Sequence, residues 1–299
     1  MTSASALHIQ GRRLRYVEVA RAADGPSVVT VGQHVLEEDG LQGLLGGDAE
    51  LSREGRDTLE KAQDALSAEK GRVVVSPSAV YSFLVPLPAE APGERRQHVL
   101  QQTALVTGTE TVSHLHVEAA EVRPAPDQEG RPYEWVHVMA VPKAARTQIG
   151  AVFGGTEDEW DWMVSSEAVA YVPRADAADA GAPFALLAGE YDTHTEFALV
   201  HEGDWHHAQY TEAPQHAEDL GYSVRSFLNG VGVSPGAVGQ VATYGAPMTP
   251  AHRSVLEADV GPEAAALDPF ARIEDEPAGE GEPSAFAPCV GAALHALDD

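Results

Sequence analysis

The sequence predicts an α/β protein made of two halves of one design, each a mixed sheet with helices, and three observations carry that expectation. Runs rich in Val, Leu and Ala recur in the order strand, strand, strand, helix, strand, once from Ala6 and again from Phe184. Gly- and Pro-containing turns such as "QGRR" and "ADGP" punctuate those runs. A length of 299 residues with 43% hydrophobic content is enough for two packed lobes with cores of their own.

The first half opens with strands expected at Ala6–Ile9, Leu14–Ala20 and Val28–Leu36. A helix follows in "LSREGRDTLEKAQDALSAEKG", where Ser52 is a plausible N-cap, Leu59, Ala62, Ala65 and Leu66 form one stripe, and Gly71 ends the element. "RVVVSP" then reads as a buried strand. The order so far is that of an RNase H-like unit.

Between Pro77 and about Pro132 the rhythm changes. "AVYSFLVPLPAEAPGERRQHVLQQTALVTG" reads as strand, proline-marked loop and short helix, "TVSHLHVEAAEV" as an alternating strand, and "PAPDQEGRP" as a surface loop. The first rhythm resumes with "EWVHVMAVPKAARTQIGAVFGG", a strand running into a helix, and then "WDWMVSSEAVAYVPRA". The economical division is a first half over 1–182 carrying an inserted subdomain at about 78–132, and a second half over 183–299.

In the second half, strands are expected at Phe184–Ala188, Thr195–His201 and His207–Thr211, with a helix over Ala217–Gly230 whose Leu220, Val224, Phe227 and Leu228 share a face. "QVATYGA" is a strand ending in a glycine turn. "TPAHRSVLEADVG" is a helix with Thr249 as N-cap and Pro250 in its first turn. "EAAALDPF" is a last short strand, "ARIEDEPAGEGEP" an acidic loop, and "SAFAPCVGAALHAL" the closing helix.

A net charge of -27 on ordinary hydrophobicity is surface charge over a folded core, and it argues against a nucleic-acid partner, which requires clustered Lys and Arg. Acid-rich composition with three lysines, Lys61, Lys70 and Lys143, suggests a salt-rich interior in which screening removes the self-repulsion. The one cysteine, Cys289, excludes a disulfide framework and is expected to pack as a small hydrophobe in an intracellular protein. No signal-peptide run and no spanning stretch of about 18 apolar residues is visible, so the expectation is a soluble cytoplasmic protein that reaches a membrane only through a partner.

Four stretches narrow the reading: "LHIQGRRLRYVEVAR" at the start, "AVYSFLVPLPAEAPGERRQHVLQQTALV", "VHVMAVPKAARTQIGAVF", and "DPFARI" with "PSAFAPCVGAALHAL" at the end. In this order they resemble the PilM branch of the actin-like proteins, cytoplasmic components of type IV pilus assembly related to the cell-division protein FtsA. The resemblance covers nearly the whole chain. It implies an actin-like fold of two RNase H-like halves, with a partner segment lying between the first half and its insertion. The residues of this chain falling there are Phe83, Val85 and Leu87 on the strand and Val99, Leu100 and Thr103 on the helix.

The same resemblance implies nucleotide turns, and these are altered. Where active members of the superfamily carry an acid and a glycine, the first turn offers His8, Gln10 and Gly11, with Arg12 and Arg13 able to meet a phosphate. The second offers Gly189 and Tyr191, flanked by Glu190 and Asp192, and the adenosine turn is reduced to "TYGAP" around Gly245. From Thr211 to Val241 there is room for about one helix, so the helical clamp subdomain of the second half is expected to be missing. The expectation is a pseudo-ATPase scaffold without cofactor. The alternative is an ATPase using the altered turns with magnesium, or a metal-dependent RNase H-like enzyme.

Other chemistry is weighed against plain packing. His114 and His116, and the triplet Asp192, His194 and Glu196, place side chains on one face of a strand and invite a metal, but an alternating polar face on a solvated strand is the ordinary explanation. His206 and His207 point to opposite faces. His8 and His137 lie in apolar strands, where a histidine hydrogen-bonded within the packing is usual. Ser165, Ser166 and Cys289 lack a nucleophile context, "GxSxG" being absent. "GVGVSPG" and "LLGGD" are glycine turns without the setting of a phosphate loop.

Overall fold

The computed structural model describes residues 2–23, 25–37, 40–45, 50–68, 70–89, 92–128, 130–153, 160–172, 182–271, 273 and 282–298. The acidic segment expected as a loop, 271–283, lies mostly outside them. Strands β1 (Ser3–Gln10), β2 (Arg13–Arg21) and β3 (Pro26–Val35) form an antiparallel meander. Helices α1 (Gly40–Leu45) and α2 (Arg53–Ala65) lead to β4 (Gly71–Val75), which joins β1 in parallel. Later in the chain β8 (Trp160–Val164) adds beside β4, giving the order β3-β2-β1-β4-β8.

The second half repeats this plan. Strands β9 (Phe184–Glu190), β10 (His194–His201) and β11 (Asp204–Glu212) form the meander, α6 (Ala217–Gly230) crosses to β12 (Val238–Gly245), and α7 (Pro250–Val260) crosses to β13 (Ala264–Ala266), giving the order β11-β10-β9-β12-β13. Between β11 and β12 the only helix of ordinary length is α6, so among the described residues the second half has no clamp subdomain.

Period-two alternation explains how each strand serves two cores. Leu7, Ile9, Leu14, Tyr16, Val73 and Val75 face α1, α2 and α4 (Lys143–Val152). The alternate residues Ala4, Ala6, Val17, Val19 and Val74 face the last helix, α8 (Ala287–Asp298). In the second sheet Leu186, Ala188, Phe197 and Leu199 meet α6 and α7, while Leu187, Ala198 and Val200 meet Val169, Ala170 and Val172, just after the short helix α5 (Ser165–Ala168). The expected caps form: Ser52 Oγ accepts from the Gly55 N–H at 3.0 Å, and Thr249 Oγ1 accepts from the His252 N–H at 3.2 Å.

Two divisions of the chain differ from expectation. Strand β7 (Arg131–Pro142), read as a return to the first half, pairs with β5 (Tyr81–Pro88) on one side and β6 (Leu115–Gln128) on the other. The inserted subdomain is therefore a three-stranded sheet with α3 (Pro92–Thr107), and it runs to Pro142 rather than 132. "PAPDQEGRP", expected as a loop, is the end of a long β6–β7 hairpin that turns at Gly130, where φ is +75°. The closing helix α8, assigned by sequence to the second half, lies on the first sheet, because its small residues Ala292, Ala293 and Ala296 pack in one cluster with Ala4 and Ala6 of β1. Cys289 is buried there among apolar neighbours, donates weakly to the Arg15 carbonyl, and burial pushes its thiol pKa up.

Candidate functional site

Strands β1 and β4 run parallel, as do β9 and β12, so their carboxyl ends open on one cleft between the halves. The cleft is formed by the β1–β2 turn at Gly11 (φ +52°), the β9–β10 turn at Asp192 and Thr193, and the turn after β12 at Gly245 (φ +85°). An exposed ion pair between Arg13 and Asp192, 3.7 Å apart, stands over it. On one side is a chamber of about 440 Å³ lined by Gln10, Arg12, Ser76, Ser78 and His194, and on the other one of about 240 Å³ lined by Arg15, Tyr191, Gly245 and Pro247. Arg13 and Asp192 line both.

Four of the residues expected at the nucleotide turns have a packing explanation. Gln10 accepts a hydrogen bond from Arg15 at 3.0 Å. Gly189 lies within β9, where a Cβ would stand 2.5 Å from the ring of Tyr244, so the glycine makes room for a tyrosine. The Tyr191 ring is buried, stacked on His194 with centroids 4.8 Å apart, and burial raises its phenol pKa well above the ordinary value. Gly245 is required by its positive φ and by the Glu190 carbonyl, which a Cβ would approach to 2.5 Å. A magnesium nucleotide requires an acid and open backbone at these turns, and a glutamine, a buried tyrosine and an arginine-paired aspartate do not fit one.

Behind the chambers lies a cluster that the sequence did not reveal as a unit. Glu196, completely buried, accepts from Ser165 Oγ at 2.7 Å on both carboxylate oxygens, from Ser76 Oγ at 3.2 Å and from the Tyr244 hydroxyl at 2.9 Å. His194 Nε2 is 2.9 Å from the same carboxylate and 2.7 Å from Ser76 Oγ. The triplet Asp192, His194 and Glu196 is thus divided: Asp192 is on the surface, while the other two face inward on a strand that is buried and not solvated. The arrangement is a carboxylate satisfied by hydroxyls. Among the described residues no group of three potential ligands is placed to hold a metal ion.

Two other histidines, His116 and His137, are similarly occupied. His114 is exposed, and His116 pairs with Glu118 and Arg146. His137 bonds Ser82 at 2.9 Å and pairs with Glu167 at 3.4 Å. His8 departs from expectation, since it is wholly buried with neither ring nitrogen hydrogen-bonded, and burial next to Arg15 holds its pKa well below the ordinary value. His206 packs on Phe184 and His201, and His207 between Trp135 and Phe227; burial beside Arg123 lowers both to about 4.

Of the residues expected to meet a partner, Leu87 and Val99 are buried against Val136 and Val138, with Phe83 and Val85 packed against the same cluster. Thr103 is wholly buried and donates its hydroxyl to the Val99 carbonyl at 2.8 Å. Leu100 is half-buried. These side chains build the core between α3 and its sheet, so Leu87, Val99 and Thr103 are not groove residues. The open cleft between the insertion and the first half is lined instead by β6 and β8, through His116, Ala120, Asp161 and Trp162, with Glu167 and Trp205 beside them, and encloses about 810 Å³. Both strands are sheet edges. The alternation of "TVSHLHVEAAEV" marks a strand with one buried face, and its edge position is set by pairing with β7 alone.

The fold that this topology defines, two like-ordered sheets about a cleft with an insertion in the first, is the actin-like fold. The chain is similar to the structure of the PilM-PilN type IV pilus biogenesis complex, with a TM-score of 0.71 at 16% identity over 99% of each chain. It is also similar to a Bacteroides thetaiotaomicron protein with an actin-like ATPase fold and unknown function, at a TM-score of 0.56 and 10% identity over 90% of this chain and 91% of that one. In fold the chain is PilM-like. No protein family and no curated protein matches it. Among the described residues no helix is long and apolar enough to cross a membrane.

Proposed function

We propose that the chain is a non-catalytic actin-like scaffold, cytoplasmic and peripheral to the inner membrane, that binds a short segment of a membrane-anchored partner in a pilus or secretion-type assembly. The observation carrying this reading is the end-to-end likeness to the PilM-PilN structure, at 99% of both chains, combined with cleft turns that carry Gln10, a buried Tyr191 and an Asp192 paired with Arg13. Without an acid at the first turn to hold a metal, with Tyr191 filling the second and with no clamp, a nucleotide would find little surface to bury against. The partner's place is the cleft between β6 and β8, where two unpaired strand edges offer backbone groups to an extended segment and Trp162 and Trp205 form an apolar floor.

Two measurements test the reading. Calorimetric titration with ATP and magnesium is expected to show no binding tighter than about millimolar, roughly 4 kcal/mol; a micromolar constant overturns the pseudo-ATPase. Titration with a peptide copying the cytoplasmic segment of a single-span protein encoded beside this chain is expected to bind and to be blocked by Ala120→Arg on the exposed face of β6. Binding unchanged in that variant would place the partner elsewhere.

A further inference from the structure

The Glu196 cluster joins two parts of the protein that the backbone leaves separate. Ser76 follows β4 and Ser165 follows β8, so both stand at the carboxyl ends of neighbouring parallel strands of the first sheet. His194 and Glu196 are on β10 and Tyr244 is on β12, in the second sheet. The hydroxyls of Ser76 and Ser165 therefore reach across the boundary to a carboxylate belonging to the other half. Tyr244 holds that carboxylate from its own side, and the His194 ring bridges to Ser76 at 2.7 Å.

Lobes of one chain normally move relative to each other unless a large apolar interface joins them, and here Val169, Ala170 and Val172 pack against Leu187, Ala198 and Val200 of the second sheet. Apolar packing alone tolerates small rotations, because it has no preferred direction. A buried carboxylate is different: it is costly unless hydrogen-bonded, and its bonds are satisfied only over a few tenths of an ångström. Opening the lobes would remove Ser165 from both oxygens and Ser76 from one, leaving Glu196 with Tyr244 and His194. We propose that Glu196, with Ser76 and Ser165, is a permanent clasp that holds the two halves at one angle without any ligand. The protein is then a rigid platform and not an opening and closing one.

The test is the distance between spin labels on the two halves of the full chain, at Glu60→Cys on α2 and Tyr222→Cys on α6, both exposed positions. The native Cys289 is buried and reacts little under native conditions. The expected result is one narrow distance distribution, unchanged by ATP and magnesium. In the variant Ser76→Ala/Ser165→Ala, which keeps the carboxylate, the distribution is expected to broaden or to gain a second distance while the circular dichroism spectrum stays folded. Two distances in the unaltered protein, a shift on adding ATP and magnesium, or an unchanged narrow distribution in the folded double variant would each overturn the clasp. If the double variant does not fold, Ser76→Ala alone is expected to broaden the distribution, and a distribution as narrow as the parent's overturns the clasp equally.

Discussion

Gly291 sits where α8 crosses the end of α5. A Cβ added there would fall well inside the contact radius of the Ala168 carbonyl oxygen and stand 2.9 Å from its carbon and 3.3 Å from Val172 Cγ2. The nearest obstacle is backbone, so no side chain can swing aside, and α8 must shift away from the end of α5 to restore an ordinary 3.4–4 Å separation. Alanine gains roughly 1 kcal/mol of helix propensity over glycine. Displacing α8, whose Val290, Ala292, Ala293 and Leu294 are packed on that sheet, costs more, in the range of about 1–3 kcal/mol for an overpacked core and at its upper end here because a whole helix moves. We expect Gly291→Ala to lower stability by about 2 kcal/mol net, read as a lower urea midpoint at unchanged slope. Gly150→Ala on α4 is the control, since nothing lies within 4 Å of its Cβ, and it should be neutral or raise stability by up to about 1 kcal/mol. A Gly291→Ala protein as stable as its parent, with the control behaving as stated, would refute the close crossing of α8 and α5.

Three further outcomes follow from the same structure. Thr103→Glu should unfold or strongly destabilise the protein by burying an unpaired charge, whereas Thr103→Val should change the melting temperature little, because the Val99 carbonyl it bonds lies within the same helix; thermal melts separate the two. Because His206 and His207 have folded pKa values of about 4 against an ordinary 6.5, the unfolded chain takes up protons first on acidification. Their contribution is therefore complete above pH 6.5 and is lost as pH falls toward 4, and urea midpoints across that interval should fall less in a His206→Gln/His207→Gln variant. If the net charge of -27 reflects a salt-rich cell, the melting temperature should climb with KCl as the Debye length shortens from about 10 Å at 0.1 M to about 3 Å at 1 M, and a flat curve removes that argument.

Local signals were legible in the chain and pairings were not. Ser52 and Thr249 declared their helix starts because a cap acts on a neighbour two or three residues away. The order of strands in both halves was readable for the same reason, since meanders and single crossovers are nearly local. β7 was misassigned because an alternating strand does not say which sheet it enters, and its partners β5 and β6 are fixed by a hairpin whose long arms were read as a loop. Thr103 was read as lining a partner groove because α3 carries polar residues on most sides, so no stripe identifies its inner face. Glu196 read as part of a solvated face because the hydroxyls that satisfy it, Ser76, Ser165 and Tyr244, are far off in sequence.

The placement of α8 has a consequence for how the chain comes into being. The first sheet is complete once Val164 has been made, yet the helix that covers one of its faces begins only at Ala287. During that interval, on the order of ten seconds at about 5–20 residues per second, Ala4, Ala6, Val17, Val19 and Val74 lack the cover they need. The amino-terminal half therefore cannot finish folding on the ribosome ahead of the other. It closes only when residues 287–298 arrive and Arg21 meets the Leu297 carbonyl and Asp298. A shortened product ending near residue 182 should accumulate as aggregate, and the same peptide supplied with residues 282–298 in trans should be the form that stays in solution.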